Sequence, residues 1–200
     1  MRLMDKPAMP HDRKYDQQGA SDMKYATLLT LGTVALGLSA CDQTKMETGA
    51  PLPGAPSATA TLRTGTGADA GRATATEVAG GLRVTLDAMN VPAGMHGVHV
   101  HTVGRCDAPD FTTAGGHWNP AQRQHGSLNP QGPHEGDMPN MTVGNDGRGT
   151  LGVVLPGATI AGLLDADGAA IIIHAAADDL KTDPSGNSGG RIACGVFQAN

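Results

Sequence analysis

The sequence predicts an all-β domain, a Greek-key sandwich or barrel of about eight short antiparallel strands interrupted by two long loops. Apolar and polar residues alternate in short runs, each closed by Gly, Asn or Pro, the pattern of half-buried strands. Gly 29 and Pro 13 in 200 residues supply the turns. Aromatics, at 2%, leave Val, Ile, Leu and Ala to fill the core, which disfavours a helical bundle. Positions 102–140 and 175–190 carry no period, and aperiodic stretches of that length inside one domain are usually functional.

The strands are read in order as Thr61-Leu62-Arg63-Thr64, then Ala73 to Val78, then Leu82 to Asp87. Gly97-Val98-His99-Val100-His101 continues the series. Asn145-Asp146-Gly147 is a hairpin turn leading into Gly149 to Leu155, and Ala169 to His174 and Arg191 to Phe197 supply the last two strands. A chain of 200 residues and 20.3 kDa has room for one such domain plus appendages. The domain is assigned to 58–200.

The appendages precede it. Residues 1–22 mix acids with bases and make no cationic start, whereas Met23-Lys24 does, so Met23 is a candidate true start. From Ala26 to Ala40 runs an apolar and small-residue stretch, too short to span a bilayer alone but fit for the apolar core of an export signal. It ends Leu38-Ser39-Ala40-Cys41, which resembles the lipobox of bacterial lipoproteins, where the Cys becomes the acylated first residue of the mature chain. The expectation is therefore an N-terminal extension and lipoprotein-type signal over 1–41, acylation at Cys41, and an exported, periplasmic, membrane-anchored protein whose only membrane contact is that lipid. Residues 42–57 are polar and rich in Pro and Gly, with no face to bury, and read as a flexible tether.

Net charge −5, with only 14 Lys plus Arg scattered singly, gives no basic stripe, so nucleic acid is excluded as a partner. Once acylation removes Cys41, Cys106 and Cys194 remain as an even pair in an exported chain, where thiols oxidise by default. A Cys106–Cys194 disulfide is predicted. By loop-entropy reasoning it would contribute up to about 4 to 5 kcal/mol, and it would anchor the His-rich loop beside Arg191.

Histidine is the uneven feature: seven of eight lie between His96 and His174. His99 and His101 sit two apart on a strand, so both imidazoles leave the same face. His117, His125, His134 and Asp137 follow within a glycine-held loop, three nitrogens and a carboxylate that suit a closed tetrahedral zinc site. His174 ends the apolar run Ile171-Ile172-Ile173, where an unpaired imidazole would be costly unless it were a ligand or hydrogen-bonded.

In this order, Gly97-Val98-His99-Val100-His101, Gly115-Gly116-His117-Trp118-Asn119-Pro120, the His125/His134/Asp137 spacing, His174 with Ala177-Asp178-Asp179-Leu180, and Gly186 to Val196 together resemble the copper/zinc superoxide dismutase family. The resemblance runs from about Ala58 to Phe197. It implies an eight-stranded Greek-key barrel whose long loops are a metal-binding loop and an electrostatic loop. It also implies one copper ion per subunit, on His99, His101, His117 and His174, and one zinc ion per subunit, on His117, His125, His134 and Asp137. His117 would be shared as an imidazolate. Asp178 would bridge the free nitrogens of His99 and His125 from behind, and Arg191 would attract and orient the substrate.

The implied reaction disproportionates superoxide to dioxygen and hydrogen peroxide, with His117 releasing copper and carrying a proton in each cycle. Trp118 stands where a Phe is usual in the family, Ser185 keeps a hydroxyl that a Thr commonly supplies, and no basic cluster follows His174, so attraction would rest largely on Arg191. His96 reads as a loop-tethering, hydrogen-bonded residue because the copper set is already full. Monomer and homodimer are both compatible with the chain. Three rival readings carry different chemistry: a non-catalytic copper-binding or copper-transfer lipoprotein on the same scaffold, a zinc hydrolase with Glu135 as general base beside His134, and a metal-free adhesive sandwich.

Overall fold

The computed structural model describes residues 49–51 and 53–200. Met23, the apolar stretch 26–40, Cys41 and the tether up to 48 lie outside the described residues. The elements are β1 Ser57–Thr64, β2 Asp69–Val78, β3 Gly81–Ala88, β4 Gly94–His96, β5 Val98–His101, β6 Met141–Val143, β7 Gly149–Pro156, β8 Ala170–His174, β9 Arg191–Val196 and β10 Gln198–Ala199. A 3-10 turn spans Thr112–Ala114, and an α-helical turn, α1 Ile160–Leu163, is capped by the Thr159 side chain, which accepts from the Gly162 amide.

All ten strands form a single antiparallel sheet in the order β4-β6-β7-β3-β2-β1-β9-β8-β5, with β10 added to β1. The two ends of that order, β4 and β5, are neighbours in the chain, separated only by Gly97. The sheet therefore rolls into a nearly closed barrel, and this removes most exposed edge. The run read as one strand, Gly97 to His101, is thus the second half of a bent segment whose first half pairs with β6. Gly97 marks the corner: a Cβ there would press on Ser188, Asp178 and His99. Strands β4, β6 and β10 were not anticipated because two or three residues carry too little alternation to register.

Alternation sets the inside. Ala58, Ala60 and Leu62 of β1, Ala73 and Ala75 of β2, and Leu82, Val84 and Leu86 of β3 point inward and are buried. Small alanines facing larger leucines let the two walls close without aromatic filler. Strand β8 is buried on both faces: Ile171 and Ile173 join the main core, while Ile172 and Ala170 pack outside it against Phe111, Ala114 and Cys194. That outer layer is the part of the long loop tied down by the Cys106–Cys194 disulfide, which the structure forms across a separation of 88 residues.

The hairpin expected at Asn145-Asp146-Gly147 is present, with Gly147 at φ 74 and its amide donating to the Gly144 carbonyl. The two aperiodic stretches remain mostly irregular. The first lies along β5 and the second turns back from β8 to β9.

Candidate metal centre

Strand β5 is the platform. Val98 and Val100 enter the core, so His99 and His101 necessarily project to the outer face. The long loop is laid against that face by main-chain hydrogen bonds: the Trp118 amide donates to the Val100 carbonyl, the Val100 amide to Gly136, and the Thr102 amide to Gly116. These bonds set His117 opposite His101 and Asp137 opposite His99. Gly136 must be glycine, since a Cβ would collide with the Val100 carbonyl. His174 arrives from β8, where a register shift at the strand end sets it opposite Arg191.

His99, His101, His117 and His174 meet in one group whose donor atoms all lie within 4.8 Å of one another. The outer nitrogen of three of these rings is already committed. His99 Nε2–H donates to Asp178 at 2.7 Å, His101 Nδ1–H to the Gly115 carbonyl at 3.0 Å, and His174 Nδ1–H to the Gly189 carbonyl at 3.2 Å. Each bond fixes the tautomer and leaves a bare lone pair on the other nitrogen. Those atoms, His99 Nδ1, His101 Nε2 and His174 Nε2, together with His117 Nε2, are the buried side-chain nitrogens and oxygens left without a partner among the described residues. Four unsatisfied acceptors converging in one place are costly unless a cation binds them.

Beside them a second set converges. Asp137 Oδ1 lies 2.9 Å from His117 Nδ1, 3.0 Å from His125 Nδ1 and 3.3 Å from His134 Nδ1, and the two ring nitrogens of His134 and His117 approach to 3.4 Å. A tetrahedral ion bonded at its usual distances separates its donors by about 3.3 to 3.4 Å, which the His134 separations match, while His117 and His125 stand closer to Asp137, at hydrogen-bond distance. The other oxygen, Asp137 Oδ2, accepts from the amides of Gly126 and His134 and is fully occupied. His99 lies within 4.8 Å of His117, His125 and Asp137, a group that leaves out His134, but its Nε2 faces Asp178 and its Nδ1 the first group. His117 thus turns one nitrogen to each set.

Asp178 spans both. Its Oδ2 accepts from His99, and its Oδ1 accepts from His125 Nε2–H at 3.0 Å and from the Leu180 amide at 2.6 Å. Asn140 clamps its main chain from both sides, donating to the Asp178 carbonyl and accepting from its amide. No sequence signal marks Asn140, whose partner is 38 positions away.

Burial pulls His101 down to about 2, His174 to about 3 and His117 to about 4, the last against the pull of its bond to Asp137. These rings are neutral at pH 7 and offer lone pairs. Burial opposes a charge on His125 too, but its hydrogen bonds to Asp137 and Asp178 outweigh that and raise it to about 9. Burial pushes Asp137 and Asp178 upward, yet the histidines and main-chain amides around them hold both well below the usual carboxylate range.

The first group opens into a cavity of about 480 Å³ lined by His101, His117, His174, Asp183, Ser185 and Arg191, among others. The Arg191 guanidinium donates from Nη1 to the Phe111 carbonyl at 2.7 Å and from Nη2 to the Gly115 carbonyl at 2.6 Å. Gly115 thus serves Arg191 and His101 together. Phe111 is held in the left-handed region at φ 56 and is packed against the disulfide. His96 behaves as read: each ring nitrogen faces a carbonyl oxygen, that of His174 at 2.7 Å and that of Pro92 at 2.8 Å. Glu135 lies away from this mouth, in a separate cavity behind His134 and Asp137. An ion held by all four donors of the second set would have no open position for a hydrolytic water.

Residues 69–197 match the family model described as copper/zinc superoxide dismutase (SODC). The chain is 42% identical over 149 residues to a copper-zinc superoxide dismutase of Caulobacter vibrioides, covering 71% of this chain and 86% of that one. It is 40% identical over 185 residues to one of Deinococcus radiodurans, covering 86% and 96%. Among solved structures, a superoxide dismutase-like protein from Bacillus subtilis superposes with TM-score 0.67 at 38% identity, covering 70% of this chain and 97% of that one. The barrel, the two converging donor sets and these likenesses agree: the chain belongs to the copper/zinc superoxide dismutase family of oxidoreductases.

Proposed function

We propose that the chain disproportionates superoxide to dioxygen and hydrogen peroxide. In this reading one copper per subunit would be held by His99, His101, His117 and His174, and one zinc by His117, His125, His134 and Asp137. The observation that carries it is the set of four unpartnered buried nitrogens beside a cavity that also holds Arg191. When bound, copper supplies a one-electron acceptor and donor, and zinc supplies fixed positive charge beside the shared ring.

The residues supply the rest. Two superoxide anions and two protons become one dioxygen and one peroxide, so the site must attract an anion and deliver protons. Arg191, fixed by two carbonyls, presents its remaining N–H groups and its charge to an anion in the mouth. His117 Nε2 is the atom that takes up and passes on a proton, because its other nitrogen stays turned toward Asp137. Asp178 and Gly115 keep His99 and His101 from rotating while this happens.

The alternative, a lipoprotein that holds copper without turnover, would need the four ligands but not a cation fixed at the mouth. The test is inhibition of superoxide-driven cytochrome reduction by the purified chain loaded with both metals. Strong inhibition supports dismutation. None from a fully metallated, oxidised sample would favour the copper-holding alternative.

The same reading includes export through a signal ending at Ala40, acylation of Cys41 and a periplasmic head held to the membrane by that lipid. The sequence pattern supports it, and mass analysis of the mature N-terminus after labelling with a fatty acid tests it. An unacylated mature chain lacking Cys41 would contradict it.

A further inference from the structure

Asp183 lies in the second long loop and lines the mouth that Arg191 also lines. Its side chain is 47% exposed. A carboxylate there works against an incoming anion, so its position has another physical basis. That basis is visible on its inner side. Its Oδ1 accepts from the main-chain N–H of His125 at 2.6 Å, and the same oxygen stands 3.6 Å from Nε2 of His134. One oxygen of the electrostatic loop therefore touches one histidine of the second donor set through its backbone and faces the outer ring nitrogen of another.

Two other members of that set are already held from behind: His125 by Asp178, and Asp137 by the amides of Gly126 and His134. The His134 ring has Asp183 as the carboxylate on its Nε2 side.

We propose that Asp183 is a positioning residue for zinc, a second outer carboxylate that orients the His134 ring and pins the His125 main chain. This rests on reading His117, His125, His134 and Asp137 as the zinc site. It makes the zinc geometry depend on the loop after β8 at two points, Asp178 and Asp183, and it sets zinc retention against anion attraction at one side chain. Outer carboxylates of this kind typically change metal affinity 10- to 100-fold.

The test is made on the full chain by competition for zinc with a chelator of known affinity. Asp183→Ala should weaken zinc binding by about 10-fold or more. Asp183→Asn keeps an acceptor for the His125 N–H, so it guards against simple misfolding, and should weaken it by a smaller factor, about threefold to tenfold. Cobalt(II) placed in the zinc site should show shifted visible bands in both variants, while the Cu(II) spectrum of the copper-loaded protein stays unchanged. A lowered melting temperature of the metal-free variants with zinc affinity within about twofold of the parent would show a purely structural contact and overturn the proposal. These readouts do not involve turnover. An inactive parent that still loses zinc on Asp183 substitution would refute the dismutase reading and leave this one standing, whereas failure of the parent to bind zinc at all would overturn both.

Discussion

His99 Nε2–H donates to Asp178 Oδ2 across 2.7 Å, and both side chains are fully shielded from solvent. The partner oxygen of the same carboxylate holds His125, so one group orients a ring in each donor set. An amide cannot accept on both sides, and Asp178→Asn would turn an NH2 group toward one N–H. Zinc affinity is expected to fall about 10- to 100-fold and the Cu(II) spectrum to change, because His99 loses its fixed tautomer. Chelator competition and electron paramagnetic resonance on the same sample check both.

Gly186 stands at φ 61 beside that carboxylate, and a Cβ there would collide with the Asp178 carboxylate and with His125 Nε2. Gly186→Ala is expected to reproduce the zinc loss of Asp178→Asn while leaving every ligand in place. Wild-type zinc affinity in this variant would show that the loop yields freely.

Arg191 pairs with His174 across β8 and β9, and its guanidinium is fixed in the mouth by the carbonyls of Phe111 and Gly115. Arg191→Ala should leave metal content unchanged and lower kcat/KM for superoxide by about 10-fold or more. Arg191→Lys should keep part of the rate, with charge but without the planar fork. Rates measured across a range of ionic strength should show a shallower salt dependence in the Ala variant.

The disulfide joins the Phe111 segment to β9 and so supports an Arg191 acceptor. Replacing both Cys106 and Cys194 by Ser should cost about 2 to 5 kcal/mol of stability, seen in denaturant unfolding. It should also lower the dismutation rate more than it lowers copper content.

Metal-free protein should respond to pH in two directions. His125 is raised to about 9 in the fold, so its stabilising charge is fully present below about pH 6.5 and is lost as pH rises through about 9. Zinc must displace that proton, so zinc affinity rises with pH over the same window. His101, His117 and His174 are depressed, so stability is lost as pH falls below about 6.5 and the unfolded rings take up protons first. Proton release on zinc binding, measured by titration calorimetry in buffers of different ionisation enthalpy, should approach one from His125 near neutral pH and vanish above about pH 9.

Much of this was legible before any fold was seen. The His99/His101 pair needs only strand alternation to share a face, and the disulfide only cysteine parity in a chain read as exported. The ligand spacing resembled one family closely enough to suggest each donor; in the structure His99, His101, His117 and His174 lie within 4.8 Å of one another, and Asp137 Oδ1 lies within 3.3 Å of His117, His125 and His134. What stayed hidden is supplied by the main chain or by distant partners. The carbonyls of Gly115, Gly189 and Phe111 orient His101, His174 and Arg191, and a carbonyl has no residue signature. Asn140 and Asp183 act across 38 and 58 positions. The closure of the barrel turns on Gly97, where one apparent strand belongs to two edges of the sheet.

In the proposed reading His117 would join two metals through one ring, Nε2 turned to copper and Nδ1 to zinc. Anomalous diffraction from crystals of the fully metallated chain, recorded at the copper and zinc absorption edges, tests it most directly. Copper is expected among His99 Nδ1, His101 Nε2, His117 Nε2 and His174 Nε2, with zinc bonded to His117 Nδ1 beside Asp137. Two occupied sites that share no ring, or copper found bonded at His117 Nδ1, would contradict it.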